Sequence, residues 1–267
     1  MSASLLLCLG LLSGGAAGIL AGLIGIGGGI VIVPVLYYGL QSAGISPDQA
    51  AHIAVSTSLA AILPAAVVSS IGHWRAGHMD FGFLREWGPG VVCGVIMAQL
   101  AAPHLNGKLM TGAFGLFCLL VAVRFGLPSK FRPWAEQPPG GGFCHVAGLS
   151  IGLVSGLAGV GGGIMTNIVM TFSGMPMHRS IGRAAAIGVV VSAPAVLVAF
   201  YESSTPHAGR IGDVDLCIWA CIAPMQAIAA WFGSQLSSRI KAESLSLLFA
   251  SALAVTGMVM LQSTIRH

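Results

Sequence analysis

The chain has 267 residues, 55% of them hydrophobic and only 7% charged, and its 12 Lys and Arg against 8 Asp and Glu give a formal net charge of +4. A water-facing domain carries about 25% charged residues, so a soluble fold is excluded, and apolar runs near the ~20 residues that cross a bilayer point to an integral membrane protein. The positive balance is scattered, with no basic helix or aromatic-interleaved basic patch, so nucleic acid is not an expected partner.

Residues 1–12, MSASLLLCLGLL, have the apolar run of a signal peptide but no positively charged n-region. The run continues into a Gly-rich stretch and reads as a first span kept on the chain. Apolar segments fall at 3–25, 29–40, 49–72, 87–104 and 108–127, then at 142–159, 163–173, 184–201, 214–236 and 245–263. Residues 128–141, polar and rich in Pro and Gly, read as an exposed linker. The expected fold is an all-α membrane protein of two repeats, 1–127 and 142–267, each of about five hydrophobic legs.

The glycines carry the duplication. Shifted by 134 positions, Gly18, Gly22, Gly25, Gly27, Gly28 and Gly29 fall on Gly152, Gly156, Gly159, Gly161, Gly162 and Gly163. Residues 75–80, RAGHMD, match 210–215, RIGDVD, and Gln99 matches Gln235. As one helix, residues 3–40 would run ~57 Å against a ~30 Å hydrocarbon core, so the chain must turn at the glycines. Counting each turn as a break without a crossing gives eight spans; counting every leg gives ten.

With ten legs, nine Lys and Arg collect on one side and three on the other, the asymmetry of the positive-inside rule. Five legs per repeat also makes the halves inverted, a common transporter plan. That count puts both ends outside and the linker inside, in a multi-pass protein of the cell inner membrane.

Each Gly turn, Gly27–Gly29 and Gly161–Gly163, should open a short helix whose N-terminus favours an anion. Close helix packing explains Gly18, Gly22, Gly152 and Gly156, but three consecutive glycines weaken any helix. Ser56, Thr57 and Ser58 offer hydroxyls within one turn. Asn167 follows the second Gly turn by one helical turn. Arg183 heads an apolar run, either snorkelling to the interface or facing a cavity to neutralise an anion. All eight carboxylates lie in loops or at span ends, whereas cation carriers keep acids within the membrane.

The six cysteines, Cys8, Cys93, Cys118, Cys144, Cys217 and Cys221, have no CxxC or metal spacing and read as small hydrophobes. With no GxxxxGK[ST], HExxH or carboxylate pair, neither catalysis, a metal nor a cofactor is expected. The expected partners are a small anionic substrate and the lipid bilayer.

The duplicated GxxxGxxGxGGG at 18–29 and 152–163, Pro34 after the first copy, residues 56–59 (STSL) before a proline-bearing span, and the Gly-x-x-Asp turns at Gly77–Asp80 and Gly212–Asp215 form one pattern. It resembles the sulfite exporter TauE/SafE family across essentially the whole chain. The resemblance implies a permease for sulfite, sulfonates or related small sulfur-containing anions. Two departures stand out: residues 181–184 read IGRA where similar proteins usually have Gly-Thr-Ser, and Asn167-Ile168 replaces the first half's Val33-Pro34. The expected function is export of such an anion by alternating access, with the Gly turns and Arg183 forming the site. The rivals are a non-transporting assembly or sensor protein, and a metal-cation permease using Met165 and Met170.

Overall fold

The structure is a computed structural model and describes residues 3–25, 27–79, 81–126, 141–201, 210–237 and 242–266. Ten α-helices run through the described residues: α1 Ala3–Ile24, α2 Gly29–Ser42, α3 Pro47–Arg75, α4 Phe81–Ala101, α5 Gly107–Gly126, α6 Gly142–Ala158, α7 Gly163–Phe172, α8 Met177–Tyr201, α9 Leu216–Ser237 and α10 Ala242–Arg266. The expected linker, apart from Gly141, lies outside the described residues, as does Asp80 of the first Gly-x-x-Asp turn.

Hydropathy located the helices but not their ends. α4 starts at Phe81 rather than 87, and α8 at Met177 rather than 184, which brings Arg183 inside its helix. Apolarity marks the part of a helix that meets lipid or core, whereas its hydrogen-bonded ladder continues into polar turns such as the exposed Arg85-Glu86 pair. Residues 210–215 form a two-stranded hairpin, β1 Arg210–Ile211 with β2 Val214–Asp215, turned by Gly212 at φ 57. Arg210 Nε and Asp215 Oδ2 pair across it at 3.5 Å.

Close backbone packing orders the bundle. A Cβ at Gly14 would stand 2.8 Å from the Ile222 carbonyl oxygen, and one at Gly18 2.6 Å from Ala229 Cβ, so the small face of α1 lies flat on α9. Gly148 and Gly156 of α6 meet Trp87 and Ala98 of α4 in the same way. In both pairs residue numbers rise together, so the helices run parallel. Trp219 Nε1 donates to the Ala60 carbonyl at 3.0 Å, while Ser234 packs on Gly72, so α9 also runs parallel to α3.

These contacts give the bundle two ends. At the Pro47 end lie the start of α1, the Asp48–Gly107 contact that begins α5, and the Thr111–Thr264 pair where α10 finishes. At the Arg75 end, Gly182 near the start of α8 packs on His78. Helices α2 and α7, at 14 and 10 residues, span ~21 and ~15 Å and cannot cross a ~30 Å core. Both begin in the middle of the bundle and leave it in opposite directions, α2 towards Pro47 and α7 towards Met177.

The exterior suits lipid. Leu116, Leu120 and Val123 present one exposed apolar face of α5, and Ile228 and Phe232 do so on α9. Among the described residues, three helices are long and apolar enough by themselves to cross a membrane, including Pro47–Arg75.

Candidate functional site

The chain breaks between α1 and α2 and again between α6 and α7, and the two breaks share one backbone path. Gly25, Gly27 and Gly28 have φ of 71, 84 and 77; Gly159, Gly161 and Gly162 have 70, 74 and 77. Only glycine adopts three left-handed positions in so short a stretch without strain. Gly28 and Gly162 are the N-cap residues of α2 and α7, with no side-chain cap. Their first turns therefore carry N–H groups with no partner inside the helix.

The two corners touch. A Cβ at Gly27 would stand 3.6 Å from Gly161 Cα, and one at Gly161 3.7 Å from Gly27 Cα. Gly27–Gly29 and Gly161–Gly163 are all buried, closed upon each other at the middle of α3.

Ser58 Oγ donates to the Gly159 carbonyl at 2.9 Å, steadying the second corner. Gln226 Nε2 donates to the Gly27 carbonyl at 2.8 Å and steadies the first. Thr57 Oγ1 accepts the Asp215 backbone N–H at 3.0 Å and so ties the hairpin to α3. Thr57→Val keeps the shape but leaves that N–H unmet, and should lower stability by about 1 kcal/mol, read as a reduced Tm.

A cavity of about 540 Å³ opens at the Pro47 end, lined among others by His52, Val55, Ser56, Gln99, Tyr201 and Asp213. Ser56 is the expected site residue that faces it. Its floor abuts the second corner, because a Cβ at Gly159 would stand 3.1 Å from Val55 Cα, and because Gln99 Nε2 donates to the Gly156 carbonyl at 3.2 Å. His52 Nε2 pairs with the Leu105 carbonyl at 3.1 Å.

Arg183 and Asn167 lie towards the other end. The Arg183 guanidinium sits 4.7 Å over the Phe83 ring, with Nη1 3.8 Å from Met170 Sδ. Asn167 Oδ1 and its carbonyl both accept from Ser180 Oγ. A metal cation at Met170 would meet the arginine's positive charge, which disfavours the use of that sulfur as a ligand.

The sequence marked Gln99 only by its match to Gln235, and did not single out Gln226 or Asp213. The repeated Gln99/Gln235 was a usable signal. Gln226 had none, and Asp213 had only its place in the repeated 210–215 turn, because their neighbours are distant in the chain.

Apolar helices broken at mid-depth beside a cavity that enters from one end define a multi-pass membrane permease. The chain belongs to the sulfite exporter TauE/SafE family, whose model matches residues 10–260. It is similar to a probable membrane transporter protein of Haemophilus influenzae, 30% identical over 187 residues and 70% of each chain. A probable membrane transporter protein of Methanocaldococcus jannaschii is 25% identical over 266 residues, 96% of each. One from Bacillus subtilis is 27% identical over 265 residues, covering 90% of this chain and 89% of its own. No solved structure matches the chain.

Proposed function

We propose that the protein exports a small sulfur-containing anion, such as sulfite, a sulfonate or a related oxyanion, by alternating access. The observation that carries this reading is the pair of glycine corners in contact at mid-bundle, each opening a helix by its N-terminus. Two partial positive charges and a set of unpaired N–H donors at that depth suit an anion. The family's sulfite exporter name gives the substrate class.

In this reading the chain is two inverted repeats, 1–127 and 142–267. The equal φ pattern of the corners, the paired packing of α1 on α9 and α6 on α4, and the opposed α2 and α7 support it. The Arg75 end, with Arg85 and Arg179 near it, faces the cytoplasm. Arg183 and Asn167 serve the intake side, and Ser56 the exit side. Asp213 borders the exit cavity, so a departing anion leaves past a like charge, which favours release and opposes return.

The structure then represents a closed centre with the outer cavity open. Ser58 and Thr57 hold the corners and the hairpin, and Gly27–Gly29 and Gly161–Gly163 receive the substrate when the corners part.

Purified protein in liposomes tests the reading. Saturable flux is expected for at least one of sulfite, thiosulfate and sulfoacetate. Arg183→Ala should raise the half-saturating concentration at the Arg75 end about tenfold, the ~1.4 kcal/mol of one charge-assisted contact. Absence of flux for every anion would reject the function, and unchanged saturation in Arg183→Ala would remove the arginine from it.

A further inference from the structure

Ile62 is fully buried, halfway along α3. A Cβ at Gly27 would stand 3.1 Å from Ile62 Cγ2, and one at Gly161 3.0 Å from that same atom. One aliphatic branch therefore lies against both corners where they meet. Val55 lies against Gly159 as Ile181 lies against Gly25, which relates α3 to α8 by 126 residues, and at that shift α8 carries Gly188 in place of Ile62. A Cβ at Gly188 would come 3.5 Å from the Gly161 carbonyl oxygen. The centre thus has one side chain where two related helices could each have supplied one.

Val55, Ile62 and Ser69 recur every seven residues and share one face of α3. Val55 lines the outer cavity. Ser69, 1% exposed, lies beyond Ile62 towards Arg75 with its hydroxyl making no hydrogen bond. An unmet buried hydroxyl is costly unless water or a passing solute supplies the partner.

We infer that Ile62 is the barrier and charge filter of the conduction path, which runs along this face of α3 from Val55 to Ser69. The inference rests on the transport reading above. An aliphatic constriction dewets, so an ion crosses only after shedding water. That cost rises steeply with charge, and a singly charged bisulfite or sulfonate passes where a sulfate dianion is refused. The exclusion belongs to Ile62; the glycines supply the seat.

The test compares Ile62→Ala, Ile62→Ser and Ile62→Phe with Ile222→Ala, in liposomes loaded with bisulfite, sulfate or thiocyanate. Ile222 is equally buried, but in the α1–α9 contact, so it controls for lost packing. Ile62→Ala and Ile62→Ser are expected to raise anion leak about tenfold and to admit sulfate, with Ile62→Phe closing the path.

If Ile62→Ala behaves like Ile222→Ala while wild-type flux is intact, the barrier role is overturned and the transport reading stands. If wild type carries neither bisulfite nor sulfate yet Ile62→Ala leaks thiocyanate, the substrate reading falls and the barrier stands. If neither passes any anion, both fall. Should Ile62→Ala fail to fold, Ile62→Val, one methylene smaller, must still raise the leak measurably above wild type, or the inference fails.

Discussion

Gly29→Ala is expected to abolish transport and to lower thermal stability by several degrees, although alanine is the better helix former. Gly29 opens α2 in helical geometry, so backbone strain is not the reason. The added methyl would run into the Gly159 carbonyl oxygen and stand 2.9 Å from Val160 Cα, both backbone atoms of the facing corner. A flexible side chain could swing aside, but a corner with three left-handed glycines cannot shift without losing the Ser58 hydrogen bond to Gly159. Overpacking of this kind costs about 1–3 kcal/mol. The control is in the same helix: Gly39 has no heavy atom within 4 Å of an added Cβ, so Gly39→Ala should be neutral or stabilise by up to ~1 kcal/mol. Thermal unfolding in detergent and flux in liposomes, measured on both variants, decide it. If Gly29→Ala matched Gly39→Ala in both, the corners would not need to be close, and the mid-bundle seat would lose its basis.

The corners were legible in the sequence because glycine runs inside apolar segments have few physical explanations. Their shared conformation followed the alignment: in three of the six aligned pairs, Gly25 with Gly159, Gly27 with Gly161 and Gly28 with Gly162, both members have positive φ. What lies between the corners was not legible. Ile62 is one of many isoleucines in an apolar helix, and nothing local separates it from Ile53 or Ile71. Its role comes from contacts with Gly27 and Gly161, 35 and 99 positions away in the numbering.

The hydroxyl cluster shows the same limit. Ser56, Thr57 and Ser58 formed one candidate group, yet a helix turns 100° per residue and sends the three side chains to a cavity, a hairpin and a corner carbonyl. Arg183 had two readings in the sequence, snorkelling or cavity-facing. Its stacking on Phe83 and contact with Met170 give it partners that neither reading named.

Flux should follow an imposed membrane potential with no proton or sodium gradient present. At about 100 mV, inside negative, each exported negative charge gains ~2.3 kcal/mol, which sustains about a fifty-fold concentration ratio. Ion coupling would require a group near the path that changes charge or binds the ion within the cycle. Asp48 is committed to the Gly107 N–H, Asp215 to Arg210 and the Ile218 N–H, and Glu86 faces outward. His52 and Asp213 line the cavity at the Pro47 end. Liposomes clamped with potassium and valinomycin separate the cases: potential-driven flux should persist at equal pH on both sides, and collapse when the potential is set to zero. Flux that instead demanded a pH difference would reject simple potential drive. Those two groups would then be the first to examine, because Asp213→Asn or His52→Gln should abolish the pH requirement if either carries the proton, and should leave it intact if the coupling group lies at the Arg75 end.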